Sequence, residues 1–251
     1  SMAAIIKTKG LIVGEAPMGE QDKRLTVLCA DRGKLSAIAK GAKKPGSRVA
    51  SQAQLFYYCD FTLEQSRGFW IIREASVIEG FYELRKDIEK LAWASWMCET
   101  ARTFAVEGEG CEELLRLLIR GLKLIGEVQL SDRMTATAFV LRAMALQGLT
   151  PETDRCGRCG QHIWDGGVLS ASSNGMVCNH CAAEVTDAIP ITEGGLYTLQ
   201  YILETPPEKM YKFTASEEIQ SSLFQFTKAF LHSYVQREMS SLNFIENLFQ
   251  F

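Results

Sequence analysis

The fold of the N-terminal part is decided by one stretch of alternating side chains, Gln54-Leu55-Phe56-Tyr57-Tyr58-Cys59-Asp60-Phe61-Thr62-Leu63-Glu64. Five of its apolar residues recur at every second position, and they are Leu55, Tyr57, Cys59, Phe61 and Leu63. Because the side chains of a strand alternate between two faces, this period of two predicts a β-strand with one buried face.

Four further runs around this stretch also predict short strands, and they are residues 5–13, 25–29, 34–40 and 69–79. Asp31-Arg32-Gly33 has the length of a hairpin turn, and Gly33 tolerates the positive φ that such turns require. Five strands in about 80 residues leave no room for crossover helices, which favours a small closed or nearly closed antiparallel barrel. An SH3-like barrel or a small sandwich fits the same pattern.

From about residue 84 the apolar residues follow helical spacing instead. The predicted helices are residues 85–106, 111–125, 131–148 and 214–238. Ser131 is a candidate N-cap of the third, and Thr214 with Glu217 fits a capping box for the fourth. These elements predict an α+β protein with a barrel domain at residues 1–80 and a helical domain at residues 81–154 and 185–251.

The segment between the two helical parts, residues 155–184, has the spacing of a four-cysteine metal module. Cys156-Gly157-Arg158-Cys159 and Cys178-Asn179-His180-Cys181 are two C-x2-C pairs, and residues 160–177 lie between them. Gly157 and Gly160 are expected to supply positive φ, so that two thiolates can approach one ion. Four thiolates leave no open coordination position, so the spacing predicts one structural zinc ion held by Cys156, Cys159, Cys178 and Cys181.

Composition limits the remaining possibilities. Hydrophobic residues make up 47% and charged residues 23% of the 251 residues, a balance typical of a globular protein. No apolar run approaches the roughly 18 residues of a membrane span, and the start lacks the pattern of a signal peptide. We therefore expect a cytoplasmic protein whose thiols stay reduced, with Cys29, Cys59, Cys98 and Cys111 as ordinary buried thiols.

Charge is distributed unevenly along the chain. Residues 1–80 contain 12 Lys and Arg against 8 Asp and Glu, whereas residues 81–251 contain 15 against 22. Six cations with no intervening acidic residue form a basic segment, and they are Arg32, Lys34, Lys40, Lys43, Lys44 and Arg48. Such a segment on a barrel suits the phosphate backbone of a nucleic acid, and residues 41–47 are expected to form a flexible loop. A solvated charged loop without a ligand fits the spacing equally well.

The sequence contains no convincing catalytic constellation. Gly41 and Gly46 have the separation of the glycines in a phosphate-binding loop, but Ser47 stands where that motif requires lysine. H-E-x-x-H and G-x-S-x-G motifs are absent as well. The sequence therefore predicts a protein that is not an enzyme.

The chain resembles the bacterial RecO family of recombination mediators and DNA repair proteins along essentially its full length. The resemblance is carried by Ala39-Lys40-Gly41-Ala42-Lys43-Lys44, by Ser47-Arg48 with the strand after it, and by the cysteine module entered through Leu149-Thr150-Pro151. Arg237-Glu238-Met239-Ser240-Ser241-Leu242 is similar to the family's C-terminal signature.

This resemblance implies an N-terminal OB fold, a helical C-terminal domain and, in many members, zinc. It also implies binding of single- and double-stranded DNA, annealing of complementary strands, and help in loading the recombinase RecA at the nucleoid. RecR and the C-terminal tail of single-stranded-DNA-binding protein are the implied protein partners. By position, the six cations of the basic segment would contact phosphates. A zinc-containing scaffold for other proteins, whose barrel contributes little to DNA binding, is the competing hypothesis.

Overall fold

The computed structural model describes residues 3–251 and divides them into two compact units. The first unit extends to Lys123, and the second runs from Leu124 to Phe251. The first unit therefore contains the barrel and the first two long helices, except for the last residue of the second helix, Leu124. The predicted domain limits at residues 80, 154 and 184 stay a prediction.

The first unit is built on a five-stranded barrel. Its strands are β1 (Ile5–Met18), β2 (Asp22–Cys29), β3 (Gly33–Ala39), β4 (Tyr58–Ser66) and β5 (Phe69–Glu79). They close in the order β1-β2-β3-β5-β4, because β1 is long enough to pair with β4 through its first half and with β2 through its second. A short helix α1 (Arg48–Gln52) lies between β3 and β4. This order is that of an OB fold, so the expected fold class is confirmed.

Strand β4 begins three residues later than the alternation predicts. Phe56 has a φ of 73°, which only a few non-glycine residues adopt, and this interrupts the extended backbone before Tyr58. The side chain of Phe56 is fully buried, and its N–H donates to the carbonyl of Ile12 at 2.9 Å. Tertiary packing and this hydrogen bond therefore override the local strand pattern. Farther along β4, Cys59, Phe61 and Leu63 do face the barrel core as predicted.

Two long helices and a 3-10 turn complete the first unit, and they are the turn Tyr82–Arg85, α2 (Ile88–Phe104) and α3 (Glu112–Leu124). The side chain of Asp87 caps α2 by accepting from the N–H groups of Glu89 and Lys90. At the other end of α2, Arg102 donates to the carbonyl of Val13 at 2.8 Å. This helix is therefore fixed to strand β1.

The second unit contains four helices and a small sheet. The helices are α4 (Asp132–Leu146), α5 (Glu193–Glu204), α6 (Glu217–Val235) and α7 (Ser240–Phe249). Ser131 caps α4 as predicted, accepting from the N–H of Met134 at 3.2 Å. The predicted cap of α6 is wrong, because Ser216 rather than Thr214 accepts from the N–H of Ile219.

The small sheet belongs to the cysteine module, and its strands are β6 (Gly167–Ser170), β7 (Gly175–Cys178) and β8 (Ile189–Pro190). They pair in the order β7-β6-β8. Sequence periodicity did not predict them, because strands this short cannot establish a period of two. In the described part of the chain, no helix combines the length and the apolar character that a membrane span requires.

Candidate metal centre and basic segment

The four predicted cysteines converge on one point in the second unit. The Sγ atoms of Cys156, Cys159, Cys178 and Cys181 all lie within 4.8 Å of one another. The Sγ atoms of Cys159 and Cys178 are 3.9 Å apart. A tetrahedral ion with metal–sulfur bonds of about 2.3 Å separates its sulfur ligands by about 3.8 Å. The cluster is therefore close to the geometry of a four-coordinate metal site.

Each pair of cysteines lies on a tight backbone turn. In the first, the N–H of Gly160 donates to the carbonyl of Cys156 at 2.9 Å, and in the second Cys181 donates to Cys178 at 3.1 Å. Gly160 has the predicted positive φ of 75°, but Gly157 does not. Gly157 is needed for a different reason, because a Cβ there would lie 1.9 Å from the carbonyl oxygen of Ser173. Close packing against the neighbouring loop therefore sets the residue type at this position.

The electrostatics of the cluster favour a bound cation. Burial alone raises the pKa of the Cys156 thiol. Hydrogen bonds from the backbone N–H groups of Cys159, Cys178 and Arg158 outweigh this effect and lower the pKa to about 6. Two of these N–H groups lie 3.3 Å (Cys178) and 3.4 Å (Arg158) from Cys156 Sγ, measured from the nitrogen. Burial and the three neighbouring thiols raise the pKa of Cys181 to about 12. Four thiolates this close repel one another, and a divalent cation removes that repulsion, so the donor set fits a metal ion.

The six cations of the basic segment, in contrast, do not form one cluster. Arg32 lies in the turn between β2 and β3, and its guanidinium carbon is 5.9 Å from the ring centroid of Trp70. Asp31 and Glu107 line the same groove, which has a volume of about 440 Å³. The charge of Arg32 is therefore partly compensated by its surroundings.

Lys34 makes an internal contact. Its Nζ donates to the backbone carbonyl of Arg102 at 2.8 Å, in the last turn of α2. A cation at this position satisfies a carbonyl that the helix itself leaves unpaired and interacts favourably with the helix dipole. The structure therefore gives Lys34 a role in fixing α2 to the barrel.

Lys40, Lys43 and Lys44 are exposed, and they lie together after β3. Their loop is a series of turns with several backbone hydrogen bonds. The N–H of Gly41 donates to Asp22 Oδ1 at 2.8 Å, and that of Lys43 donates to the carbonyl of Gln21 at 2.9 Å. The three ammonium groups form no ion pair with any described residue. The loop is thus a series of hydrogen-bonded turns that carries three unpaired cations, and its flexibility stays a prediction.

Arg48 is the first residue of α1, beyond the lysine loop. Ser47 caps this helix, since its Oγ accepts from the N–H of Ala50 at 3.1 Å. Arg48 is exposed and lines a groove of about 730 Å³. Lys7 and Arg73 line the same groove, and sequence reasoning missed both because they are distant in the chain. Arg73 is paired with Glu64, so the groove has a mixed charge.

Comparison with known proteins gives consistent results for both halves of the chain. A family model described as recombination protein O N terminal matches residues 2–81, and one described as recombination protein O C terminal matches residues 85–243. The DNA repair protein RecO of Acetivibrio thermocellus is 28% identical over 243 residues, which cover 97% of each chain. The DNA repair protein RecO of Thermoanaerobacter sp. is also 28% identical, over 97% of this chain and 98% of the relative. The chain therefore belongs to the recombination protein O (RecO) family of DNA repair proteins.

Proposed function

We propose that this RecO-family chain is a non-enzymatic mediator that binds single- and double-stranded DNA and anneals complementary strands. The observation that carries the proposal is the loop with Lys40, Lys43 and Lys44, three exposed cations without an acidic partner on an OB fold. Cations on such a loop contact phosphates, which every DNA sequence presents in the same way.

The mechanism follows from charge. Two complementary strands repel each other through their phosphates, and a protein that presents cations to both lowers this repulsion. Contacts to phosphate leave the base edges free to pair, so annealing proceeds on any sequence. The reaction makes and breaks no covalent bond and requires no nucleotide.

Zinc completes the proposal as a structural ion. Four cysteine thiolates in tetrahedral geometry are the donor set of structural zinc sites, and all coordination positions are taken by protein. Cys156, Cys159, Cys178 and Cys181 would hold this ion, and it would stabilise the module that contains β6, β7 and β8. The ion has no part in the annealing step.

We extend the proposal to the partners that family membership suggests. These are RecR, the C-terminal tail of single-stranded-DNA-binding protein and, functionally, the recombinase RecA during its loading. In this role the protein works in the cytoplasm at the nucleoid. The interaction with the tail is tested with a fluorescent peptide of that tail. The peptide should bind, and binding should be lost when its acidic residues are removed.

Annealing itself is tested with two complementary fluorescent oligonucleotides, zinc-loaded protein, no nucleotide and a series of salt concentrations. Acceleration at low salt that declines as salt rises supports the proposal. Three phosphate contacts to a single strand correspond to a slope of about −2 for log affinity against log salt. A pair of non-complementary oligonucleotides provides the background. No acceleration at about 50 mM salt, within the range where phosphate contacts are strong, would favour the scaffold hypothesis instead.

A further inference from the structure

A tryptophan on the surface of the cysteine module has no role in the core. Trp164 is 83% exposed, a larger fraction than that of any other described Phe, Tyr or Trp side chain. Its neighbour Ile163 is turned inward and packs against the cluster formed by Cys156, Val177 and Cys181. The N–H of Ile163 donates to the carbonyl of Asp154 at 2.8 Å. The segment is therefore anchored, and the indole is held outside.

Two further side chains extend this surface. The ring centroids of His162 and Trp164 are 4.1 Å apart, with an angle of 48° between the rings. His162 also forms an antiparallel bridge with Arg155, which places the two residues side by side on neighbouring backbone segments. Arg155 is exposed, and its Nη1 donates to the carbonyl of Gly160 at 3.3 Å. A cation, an imidazole and an indole thus lie next to one another on the first cysteine turn.

The charge of this turn differs from that of the surrounding sequence. Residues 155–164 contain Arg155 and Arg158 and no acidic residue, although residues 81–251 as a whole contain seven more acidic than basic residues. Arg158 is paired with Glu184 at 3.2 Å, whereas Arg155 forms no ion pair with any described residue. Asp154 and Asp165 flank the turn, so the excess of positive charge is confined to it.

We propose that Trp164, His162 and Arg155 form a second DNA contact, specific for single strands. This inference rests on the proposed function and adds a site outside the barrel. An unpaired base stacks on the indole of Trp164, and Arg155 contacts a phosphate of the same strand. In a duplex the bases are already stacked on one another, so Trp164 has no base face to bind.

The surroundings of Trp164 favour a nucleic acid over a protein partner. A protein interface typically surrounds its aromatic anchor with residues that exclude water. The exposed neighbours here are polar or small, namely Gln161, His162, Asp165 and Gly166. A single aromatic face beside a cation is, in contrast, the arrangement by which proteins hold single strands without sequence preference.

The first test compares Trp164→Ala with the unchanged protein, both zinc-loaded. We expect the affinity for an oligothymidine to fall about 5- to 150-fold, the range that corresponds to one base–aromatic stack. Affinity for a duplex of the same length should change less than about twofold, because no base stacks on Trp164 there. Tyr197→Ala is the matched control, since Tyr197 is a 69% exposed aromatic residue of the same unit outside the cysteine module. It should leave both affinities unchanged.

Intrinsic fluorescence provides an independent readout. Two of the other three tryptophans, Trp93 and Trp96, are buried, and Trp70 is partly buried in the barrel. Stacking of thymine on the exposed indole should quench the fluorescence of the unchanged protein, and this quenching should be absent in Trp164→Ala. Arg155→Gln should reduce the slope of log affinity against log salt by about 0.7 on a single strand.

The outcomes separate this inference from the proposed function. If the unchanged protein binds DNA and Trp164→Ala binds oligothymidine equally well with full zinc content, the inference is wrong and the mediator function stands. Loss of binding to RecR or to a tail peptide in that variant, with unchanged DNA affinity, would also overturn it in favour of a protein contact. If the unchanged protein binds no DNA at low salt, both the function and the inference fail.

Discussion

The cysteine cluster and the basic segment differ in how close together the structure places their residues. Four sulfur atoms meet within 4.8 Å, although residues 160–177 separate the two pairs in sequence. The six cations of the basic segment, in contrast, point to three different surroundings: a tryptophan, a helix carbonyl and solvent. A metal ion requires fixed ligand distances, whereas a phosphate backbone accepts cations at many spacings. Sequence spacing therefore specifies a metal site far more closely than a DNA-binding surface.

The largest expected effect is the loss of metal on Cys156→Ser. The variant should release the proposed zinc ion, and with it about 10 kcal/mol of metal-binding free energy, which is also folding free energy. Metal content per chain and a thermal melting curve measure the two consequences. Cys111→Ser is the control, because this partly exposed thiol lies outside the cluster and donates to the carbonyl of Cys29. Full metal content in Cys156→Ser would show that Cys156 is not a required ligand and would overturn the four-cysteine assignment.

A second change removes the exposed lysines. Lys43→Glu combined with Lys44→Glu should weaken binding of duplex DNA and lower the slope of log affinity against log salt by about 1.8, the sum for two phosphate contacts. The pair Lys86→Glu and Lys123→Glu is the matched control, with the same change in net charge at exposed positions of the same unit. Equal loss in both double variants would mean that net charge alone, and not this loop, determines affinity.

Lys34→Met tests whether this lysine of the basic segment stabilises the fold or contacts DNA. Because the Lys34 ammonium is bonded to the carbonyl of Arg102, the variant should lose about 1.5–3 kcal/mol of stability, the typical contribution of a hydrogen bond to a charged group. Urea unfolding measures this loss, and DNA affinity measured well below the denaturation midpoint should stay within about twofold, since no phosphate contact is removed. A drop in the salt slope equal to that of one contact would instead assign Lys34 to the DNA surface.

The smallest expected effect is that of Ser47→Ala at the cap of α1. Removing the acceptor for the N–H of Ala50 should cost about 1 kcal/mol of stability. Because this cap fixes the start of the helix that presents Arg48, DNA affinity should fall slightly in parallel. Ser47→Asp keeps a capping oxygen and should restore stability, which urea unfolding can measure. If both variants are equally stable, the cap does not contribute.

Much of the fold could be predicted from sequence because its patterns are local. Alternation identified β4, short β-rich runs separated by turn residues identified the other four strands, and C-x2-C spacing identified all four cysteines of the cluster. The predicted start of β4 was wrong because a long-range contact holds Phe56 in a left-handed conformation. The hydrogen bond of the Lys34 side chain could not be predicted either, because its acceptor lies 68 positions away in the sequence. Trp164 was missed since an isolated aromatic residue has no periodicity, and only its exposure distinguishes it from a core residue.

Closure of the barrel determines how other molecules can meet it. Because β1 pairs with β2 on one side and β4 on the other, every strand of the barrel already has two neighbours. Free strand edge is therefore short, and one such stretch lies between β3 and β5, which pair only through Ala37 with Trp70 and Ile38 with Ile71. We therefore expect ligands of the barrel to be recognised mainly through side chains and loops. A barrel with so little free edge is a poor template for strand-by-strand aggregation, even where many copies lie close together.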